Sequence, residues 1–380
     1  MNRFTYHYNF SHKLIHTNPM IHFGKISEQE FLADYWQKKP LLIKQALPGF
    51  ISPISPEELA GLSLEEEFES RLITGSIQTQ QWSLSSGPFS NSTFETLTEK
   101  DWTLLVQGVD RYIDEIYDLV KQFDFIPRWR FDDVMISYAA TGGSVGPHFD
   151  YYDVFLLQGS GNRRWELSTQ FCNLDNYLKG VPLRIMDKFT PEQSFEVEPG
   201  DILYIPPKVA HHGVSTSDDC TTLSFGYRSY NTQEMFAKTP HNTDDVYYQD
   251  PAWSVNKEPA LIPNTAIQMA NKLSTISDTD FAKFVTNLDS SAVQILQEFE
   301  YNQQDLKFKF GPAYQLHPAC KIAYLKQDEK ILVFLNGSLI DTQGLGSVDL
   351  TDFCNRRMLD ASSSPVLTQQ LFDLNVLYEI

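Results

Sequence analysis

The sequence predicts a mixed α+β protein: an antiparallel β jelly roll, then a helical segment, then a small module of a hairpin flanked by short helices. Three observations lead there. Between Phe131 and Ser229 short apolar runs alternate with Gly- and Pro-bearing turns, the pattern of a multi-stranded antiparallel core. From Pro263 to Glu300 the spacing changes to that of amphipathic helices, with Ile267, Met269 and Leu273 in one and Phe281, Phe284, Val285 and Leu288 in the next. The final stretch pairs Lys321-Ile-Ala-Tyr-Leu325 with Lys330-Ile-Leu-Val-Phe-Leu-Asn-Gly337 as a hairpin between short helical patterns.

Each element has its own signal. Met1 to Pro19 is polar and aromatic, carries His7, His12 and His16, lacks the apolar run of a signal peptide, and reads as a tail (1–22). Ser27 and Glu30 form a capping-box pattern opening a helix with Phe31, Leu32, Tyr35 and Trp36, which Pro40 should end. Leu41 to Ile43 then reads as a short buried strand. Ser55-Pro-Glu-Glu-Leu59 starts a second helix with Pro in its first turn. Glu65 to Glu67 suits a solvated helix face, Ser70 to Leu84 alternates as strands, and Ser85 to Ser92 is a Gly/Pro/Ser loop. Trp102 to Phe125 shows helical periodicity. The resulting division is a mainly β domain over 23–230, a helical segment over 231–305 and a last module over 306–380.

Composition sets limits on function. A chain of 380 residues is long enough for two or three domains, and 42% hydrophobic with 13% aromatic content supplies a large core. The formal net charge of -19 argues against direct nucleic-acid binding, which needs Lys and Arg against phosphates, and fits a basic partner. The C-terminal module lacks a basic face for the same reason and is expected to contact protein. The four cysteines, Cys172, Cys220, Cys320 and Cys354, have no CxxC spacing and read as free thiols of a reducing compartment. No apolar stretch of about 18 residues is present to span a membrane, so the cytoplasm is expected.

The motif that carries chemistry is His148-Phe149-Asp150, with Gly200-Asp-Ile-Leu-Tyr-Ile-Pro-Pro207 and the pair His211-His212 downstream. On a strand, residues two apart share a face, so His148 and Asp150 reach one ion together. A histidine from a distant strand completes two imidazoles and one carboxylate, a set that leaves open positions and suits non-haem Fe(II) and O2. A structural zinc site would instead close all four positions. His211 and His212 are adjacent and cannot both face that ion from an extended segment. His22, His241 and His317 have no partner at ligand spacing.

These pieces, with Phe31-Leu-Ala-Asp-Tyr-Trp-Gln-Lys-Lys-Pro-Leu-Leu-Ile43, Gly161-Asn-Arg-Arg-Trp165 and Phe225-Gly-Tyr-Arg228, resemble the JmjC cupin family of 2-oxoglutarate-dependent oxygenases. The likeness is greatest to the bacterial ribosomal oxygenases that hydroxylate an arginine of a large-subunit ribosomal protein. It covers roughly the first three-fifths of the chain, and the C-terminal third agrees only in layout.

The resemblance implies a double-stranded β-helix core, a small winged-helix-like C-terminal domain over 306–380, Fe(II), 2-oxoglutarate as cosubstrate and O2. It selects His211 over His212 as the third ligand. It places the cosubstrate's far carboxylate on Arg163, whose guanidinium grips a carboxylate with two parallel hydrogen bonds, and leaves Arg164 facing outward. Ser137 and Tyr138 are candidate hydroxyl donors to the cosubstrate. Tyr151, Tyr152, Asp153 and His212 are candidates for the pocket mouth, where acidic and aromatic groups suit a guanidinium. The implied substrate is the β-carbon of an arginine in the sixteenth protein of the large subunit, and the helical segment would form a homodimer. A histidine hydroxylase, a lysine demethylase and a non-catalytic metal-holding cupin scaffold are the alternatives.

Overall fold

The computed structural model describes residues 21–380 except 80, 236–245, 255–256, 274, 304–305, 329 and 343–344. The tail histidines and His241 lie outside the described residues. Eleven strands form the first part: β1 (Leu41–Ile43), β2 (Ser70–Ser76), β3 (Gln81–Ser86), β4 (Trp102–Val106), β5 (Phe131–Ala139), β6 (Asp153–Ser160), β7 (Arg163–Ser168), β8 (Gln193–Val197), β9 (Ile202–Ile205), β10 (Ala210–Ser215) and β11 (Cys220–Tyr227). They make an eight-stranded sheet in the order β1-β9-β6-β11-β5-β4-β2-β3 and a three-stranded sheet in the order β10-β7-β8. This is the jelly-roll arrangement the sequence predicts, with strands that neighbour in space drawn from distant parts of the chain.

Strand parity decides what the two sheets enclose. In β6, Phe155 and Leu157 face outward to a core shared with the N-terminal helices, while Val154 and Leu156 face the small sheet. In β9, Tyr204 and Leu203 divide in the same way. The outer core is aromatic: Phe31 meets Tyr204 edge-on at 4.9 Å and Phe123 meets Phe225 at 4.6 Å. Trp165 and Leu167 of β7 meet Val154, Leu156, Leu203 and Ile205 between the sheets. Side chains that alternate across a pleat thus fill two separate layers, one outside the barrel and one within it.

The helix Glu28–Asp34 has the predicted reciprocal cap between Ser27 and Glu30, and Pro56–Leu62 has the same box between Ser55 and Glu58. The first helix stops at Asp34, before Pro40, yet Trp36 remains buried. Glu65 to Glu67 is exposed as expected but sits in turns rather than on a helix. β3 runs through Ser86, and a short helix, Asn91–Glu95, opens inside the segment expected as a loop. The larger departure is Trp102 to Phe125, expected as helix throughout. Its first part is β4, inserted between β2 and β5, with Leu104 opposite both Leu72 and Tyr138. Gly108 then takes a left-handed turn (φ 66) and the helix Asp114–Val120 follows. A short apolar run fits either period, and here the open sheet edges decide.

A buried ionic cluster ties three parts of the chain together. Arg130 is fully enclosed, with Nη1 donating to Asp250 at 2.5 Å and Nη2 to Asp153 at 3.2 Å. The Trp36 indole N–H also donates to Asp250, at 3.1 Å. Hydrogen-bonded pairs are the form in which burial of ions is tolerated, although Asp250 Oδ2 is buried with no hydrogen-bond partner among the described residues.

Beyond the barrel lie the helices Asn264–Leu273, Asp278–Val285 and Ser290–Gln303. They do not form a core of their own: Phe281, Val285 and Ile267 pack with Trp129 and Tyr230 of the first part and with Ala323, Leu325 and Phe334 of the last. Arg111 grips Asp289 through Nη1 at 3.0 Å and Nη2 at 2.7 Å across the same junction. The last module contains β12 (Ala313–Leu316), β13 (Ile322–Gln327), β14 (Lys330–Leu335), β15 (Ser338–Leu339), β16 (Met358–Asp360) and β17 (Leu377–Glu379). β13 and β14 are the predicted hairpin, extended by β15, and β16-β12-β17 is a second small sheet. The helices Ser347–Arg356 and Pro365–Asp373 complete its core. Among the described residues no helix is long and apolar enough to cross a membrane.

Candidate metal centre

His148 and Asp150 stand just before β6, outside any named strand. The sequence reading put them inside one. Instead His148 forms a single antiparallel bridge with His211, N–H to carbonyl at 3.1 and 2.7 Å in the two directions. That closely bonded pair sets the two imidazoles side by side, with ring centroids 4.2 Å apart. Gly146, at φ 80, directs the chain into the bridge. A Cβ there would come within 2.9 Å of Ile185, so a larger residue is excluded on both counts.

Backbone carbonyls orient both rings. His148 Nδ1 lies 2.9 Å from the Gly146 carbonyl, and His211 Nδ1 lies 3.1 Å from that of Val209. A carbonyl only accepts, so each Nδ1 carries the proton and each Nε2 keeps its lone pair. The two Nε2 atoms lie 3.8 and 3.6 Å from Asp150 Oδ2, and the three donor atoms lie within 4.8 Å of one another. Burial first, and the neighbouring His148 second, push His211 down to about 4, so its ring is neutral at ordinary pH. Two imidazoles with aimed Nε2 atoms and a carboxylate on one side make a fitting donor set for an octahedral ion with positions to spare.

His212 points the other way. It pairs with Glu166 in the β10–β7 register, its Nδ1 is 3.3 Å from Glu166 Oε2, and Phe189 meets its ring edge-on at 6.0 Å. The expectation that it contacts substrate is therefore not met, because parity sends alternate side chains of β10 to opposite faces.

Arg163 and His211 share the inward face of the small sheet. In the register of β10 with β7, His211 lies opposite Leu167, Gly213 opposite Trp165 and Ser215 opposite Arg163. Gly213 leaves room for the Trp165 ring, which a Cβ there would meet at 2.5 Å. The Arg163 side chain is buried (3% exposed), its Nε donates to Cys220 Sγ at 3.4 Å, and its Nη2 has no hydrogen-bond partner among the described residues. A buried guanidinium nitrogen without an acceptor points to a missing anionic one. β7 does not return beside the His148 segment as expected; both flank β10. Arg164 faces outward, 3.6 Å from Glu166.

The two hydroxyl candidates on β5 separate by parity. Ser137 lies opposite Thr222 and Leu105 on the barrel-facing side. Tyr138 belongs to the outer face, packs edge-on against Trp102 at 5.4 Å and donates to the Asp218 carbonyl at 3.0 Å, which removes it from the pocket. At the mouth, Tyr151 stacks on Tyr247 at 4.3 Å, and the exposed Tyr152 lies beside Asp150, whose charge raises its hydroxyl well above the usual value. Asp153 is not at the mouth. It is fully buried, accepts from Tyr204 Oη at 2.6 Å and Gln37 Nε2 at 2.8 Å, and burial raises it to about 6. Its place in the Arg130 cluster is structural. Cys220, Thr222 and Gln158 on the barrel wall were missed by sequence reasoning; the alternation of Cys220 to Tyr227 was the available signal.

The JmjC domain family matches residues 118–235, the stretch that supplies both histidines, Asp150 and Arg163. The chain is 39% identical over 236 residues to the ribosomal protein uL16 3-hydroxylase of Escherichia coli, covering 61% of this chain and 62% of that protein. It is 42% identical over 212 residues to a "Probable ribosomal oxygenase" of Haemophilus influenzae, covering 55% and 52%. The aligned sequence thus spans about half to three-fifths of these relatives. An X-ray structure of E. coli YcfD superposes over 95% of this chain and 100% of that one, with a TM-score of 0.70 and 28% identity. The same ribosomal oxygenase with cobalt and 2-oxoglutarate gives a TM-score of 0.66 at 28% identity over 95% and 99%. Site geometry, domain match and fold agree: residues 118–235 match the JmjC domain, and the chain is similar in fold along nearly its whole length to a bacterial ribosomal oxygenase.

Proposed function

We propose that this chain is a 2-oxoglutarate- and Fe(II)-dependent oxygenase that hydroxylates an arginine side chain of a basic large-subunit ribosomal protein. The carrying observation is the placement of two kinds of donor in one barrel: a convergent His148–Asp150–His211 set and, on the same inward face, a buried Arg163 with a free Nη2. A metal-holding scaffold accounts for the first but has no use for the second. Bound Fe(II) and cosubstrate would supply oxygen activation with succinate and carbon dioxide as by-products. His148, Asp150 and His211 would hold the ion. Arg163 would fix the far carboxylate, and the apolar layer of Trp165, Leu167 and Leu203 would exclude water.

The ribosomal substrate is supported by the uL16 hydroxylase of E. coli, and arginine by the acidic chain and the tyrosines at the mouth. A more distant relative, the "Bifunctional lysine-specific demethylase and histidyl-hydroxylase NO66" of Aedes aegypti, is 24% identical over 204 residues, so lysine and histidine are the competing side chains. The test is to incubate the Fe(II) protein and 2-oxoglutarate with purified uL16, then digest and sequence by mass. A one-oxygen gain on arginine is expected. A gain on histidine or lysine overturns the arginine assignment, and formaldehyde from a methylated peptide favours demethylation. Absence of succinate production with any basic protein supports the scaffold.

A further inference from the structure

We infer that Cys220 is a positioning residue for the cosubstrate: its sulfur holds Arg163 by Nε and so aims the free edge of the guanidinium into the barrel. The inference rests on the proposed oxygenase reading and deepens it. An arginine side chain has many rotamers, and each unconstrained one weakens grip on a carboxylate. Here two contacts remove that freedom. Trp165, two residues along β7, lies beneath the guanidinium with Cζ 5.5 Å from the ring centroid. Cys220, the first residue of β11 in the opposite sheet, takes the Nε proton at 3.4 Å. Its sulfur is itself fixed, since Gln158 Nε2 lies 3.3 Å away on the other side.

The Gln158 amide is held in turn. Its Nε2 donates to the Ser160 carbonyl at 2.8 Å, and its Oε1 accepts from Thr222 Oγ1 at 3.2 Å. Cys220 and Gln158 are both fully enclosed, at 0% and 1% exposed. With Nε committed to sulfur, Nη2 is buried without a hydrogen-bond partner among the described residues. A backbone or carboxylate acceptor in the place of Cys220 would compete for the guanidinium more strongly, because sulfur is a weak acceptor. A thiol therefore orients the side chain without neutralising it, and the full charge is kept for a carboxylate.

The experiment measures binding, by calorimetry, of 2-oxoglutarate and of 2-oxobutyrate to the Co(II)-loaded, full-length protein. 2-Oxobutyrate has the metal-binding end but lacks the far carboxylate, so it does not use Arg163. Cys220→Val keeps the volume and removes the acceptor, and Cys220→Ser restores an acceptor. For Cys220→Val the affinity for 2-oxoglutarate is expected to fall about tenfold, the worth of one hydrogen bond to a charged group. Affinity for 2-oxobutyrate should not change, and Cys220→Ser should recover most of the loss. Unchanged 2-oxoglutarate affinity in Cys220→Val, beside a loss in Arg163→Ala, overturns the role of the thiol and leaves that of Arg163. Equal loss for both acids shows a merely structural role and also overturns it. If the loaded wild-type protein binds neither acid, the oxygenase reading falls and takes this inference with it.

Discussion

His211 and His212 share one stretch of backbone and differ in surroundings. The first has its proton fixed on a carbonyl and its lone pair aimed at Asp150; the second is spent on Glu166 behind the sheet. His148→Ala, Asp150→Ala and His211→Ala should each weaken Fe(II) or Co(II) binding by more than the about 10–100-fold that loss of a supporting hydrogen bond costs. His212→Ala should keep the metal. Metal content after gel filtration reads this directly, and an iron-free His212 variant beside an iron-bound His211 variant would exchange the two roles. Residue types and spacing pointed to His148, Asp150 and one histidine of the later pair; the neighbourhoods that separate one histidine from the other belong to the folded barrel.

Gly213 and Trp165 set the distance between β10 and β7, and so the position of His211 relative to Arg163. The Cβ of Gly213→Ala would lie 2.5 Å from the indole, whose ring is buried between the two sheets. Overpacking of this kind costs about 1–3 kcal/mol, visible as a lower melting temperature. Trp165→Phe in the same background should recover part of it, and an unaltered melting temperature for Gly213→Ala would show that the strands separate freely.

In the C-terminal module, His317 accepts the Ala319 N–H on Nδ1 at 3.2 Å and lies 4.6 Å from the Phe299 ring. Burial first, and Arg357 second, push it down to about 4. A histidine whose folded pKa lies below its unfolded value of about 6.5 contributes stability that is present above pH 6.5 and lost as pH falls toward 4. Wild-type protein should therefore lose on the order of 1 kcal/mol more than His317→Gln between pH 7 and 4.5 in urea melts. Parallel losses would assign the acid sensitivity elsewhere.

The whole chain carries a formal net charge of -19, while the proposed substrate is strongly basic. Long-range attraction of this kind raises the encounter rate and is screened over about 10 Å at 0.1 M salt. The second-order rate with uL16 should fall as salt rises, with turnover at saturation little changed. A rate indifferent to salt would remove steering from the account. The three parts of the molecule also share more than the sequence division suggests, because Phe281, Trp129 and Phe334 belong to one core. Truncation near 305 is accordingly expected to expose apolar surface rather than release a folded domain.

Much of the fold was legible because its signals are local. Capping boxes at Ser27 and Ser55, the alternation of β6 and β9, the Pro206-Pro207 exit and the paired runs of β13 and β14 each follow from a few neighbouring residues. His148 and Asp150 were proposed for a related reason: residues two apart on extended chain share a face, and their types restrict the chemistry, whereas the choice of His211 and Arg163 came from the resemblance to the JmjC family. What waited on tertiary structure were choices made by partners far away in the chain. Trp102–Val106 became a strand because β2 and β5 offered two unpaired edges to a run that also suited a helix. Asp153 went to Arg130 rather than to the mouth, and Tyr138 to Trp102 rather than to the cosubstrate pocket. Cys220, unremarkable in sequence, met Arg163 only when β11 and β7 closed opposite sides of the barrel. Local sequence determines period and facing, whereas the occupant of the opposite wall is set by which distant strands pair, and that depends on burial summed over the whole barrel.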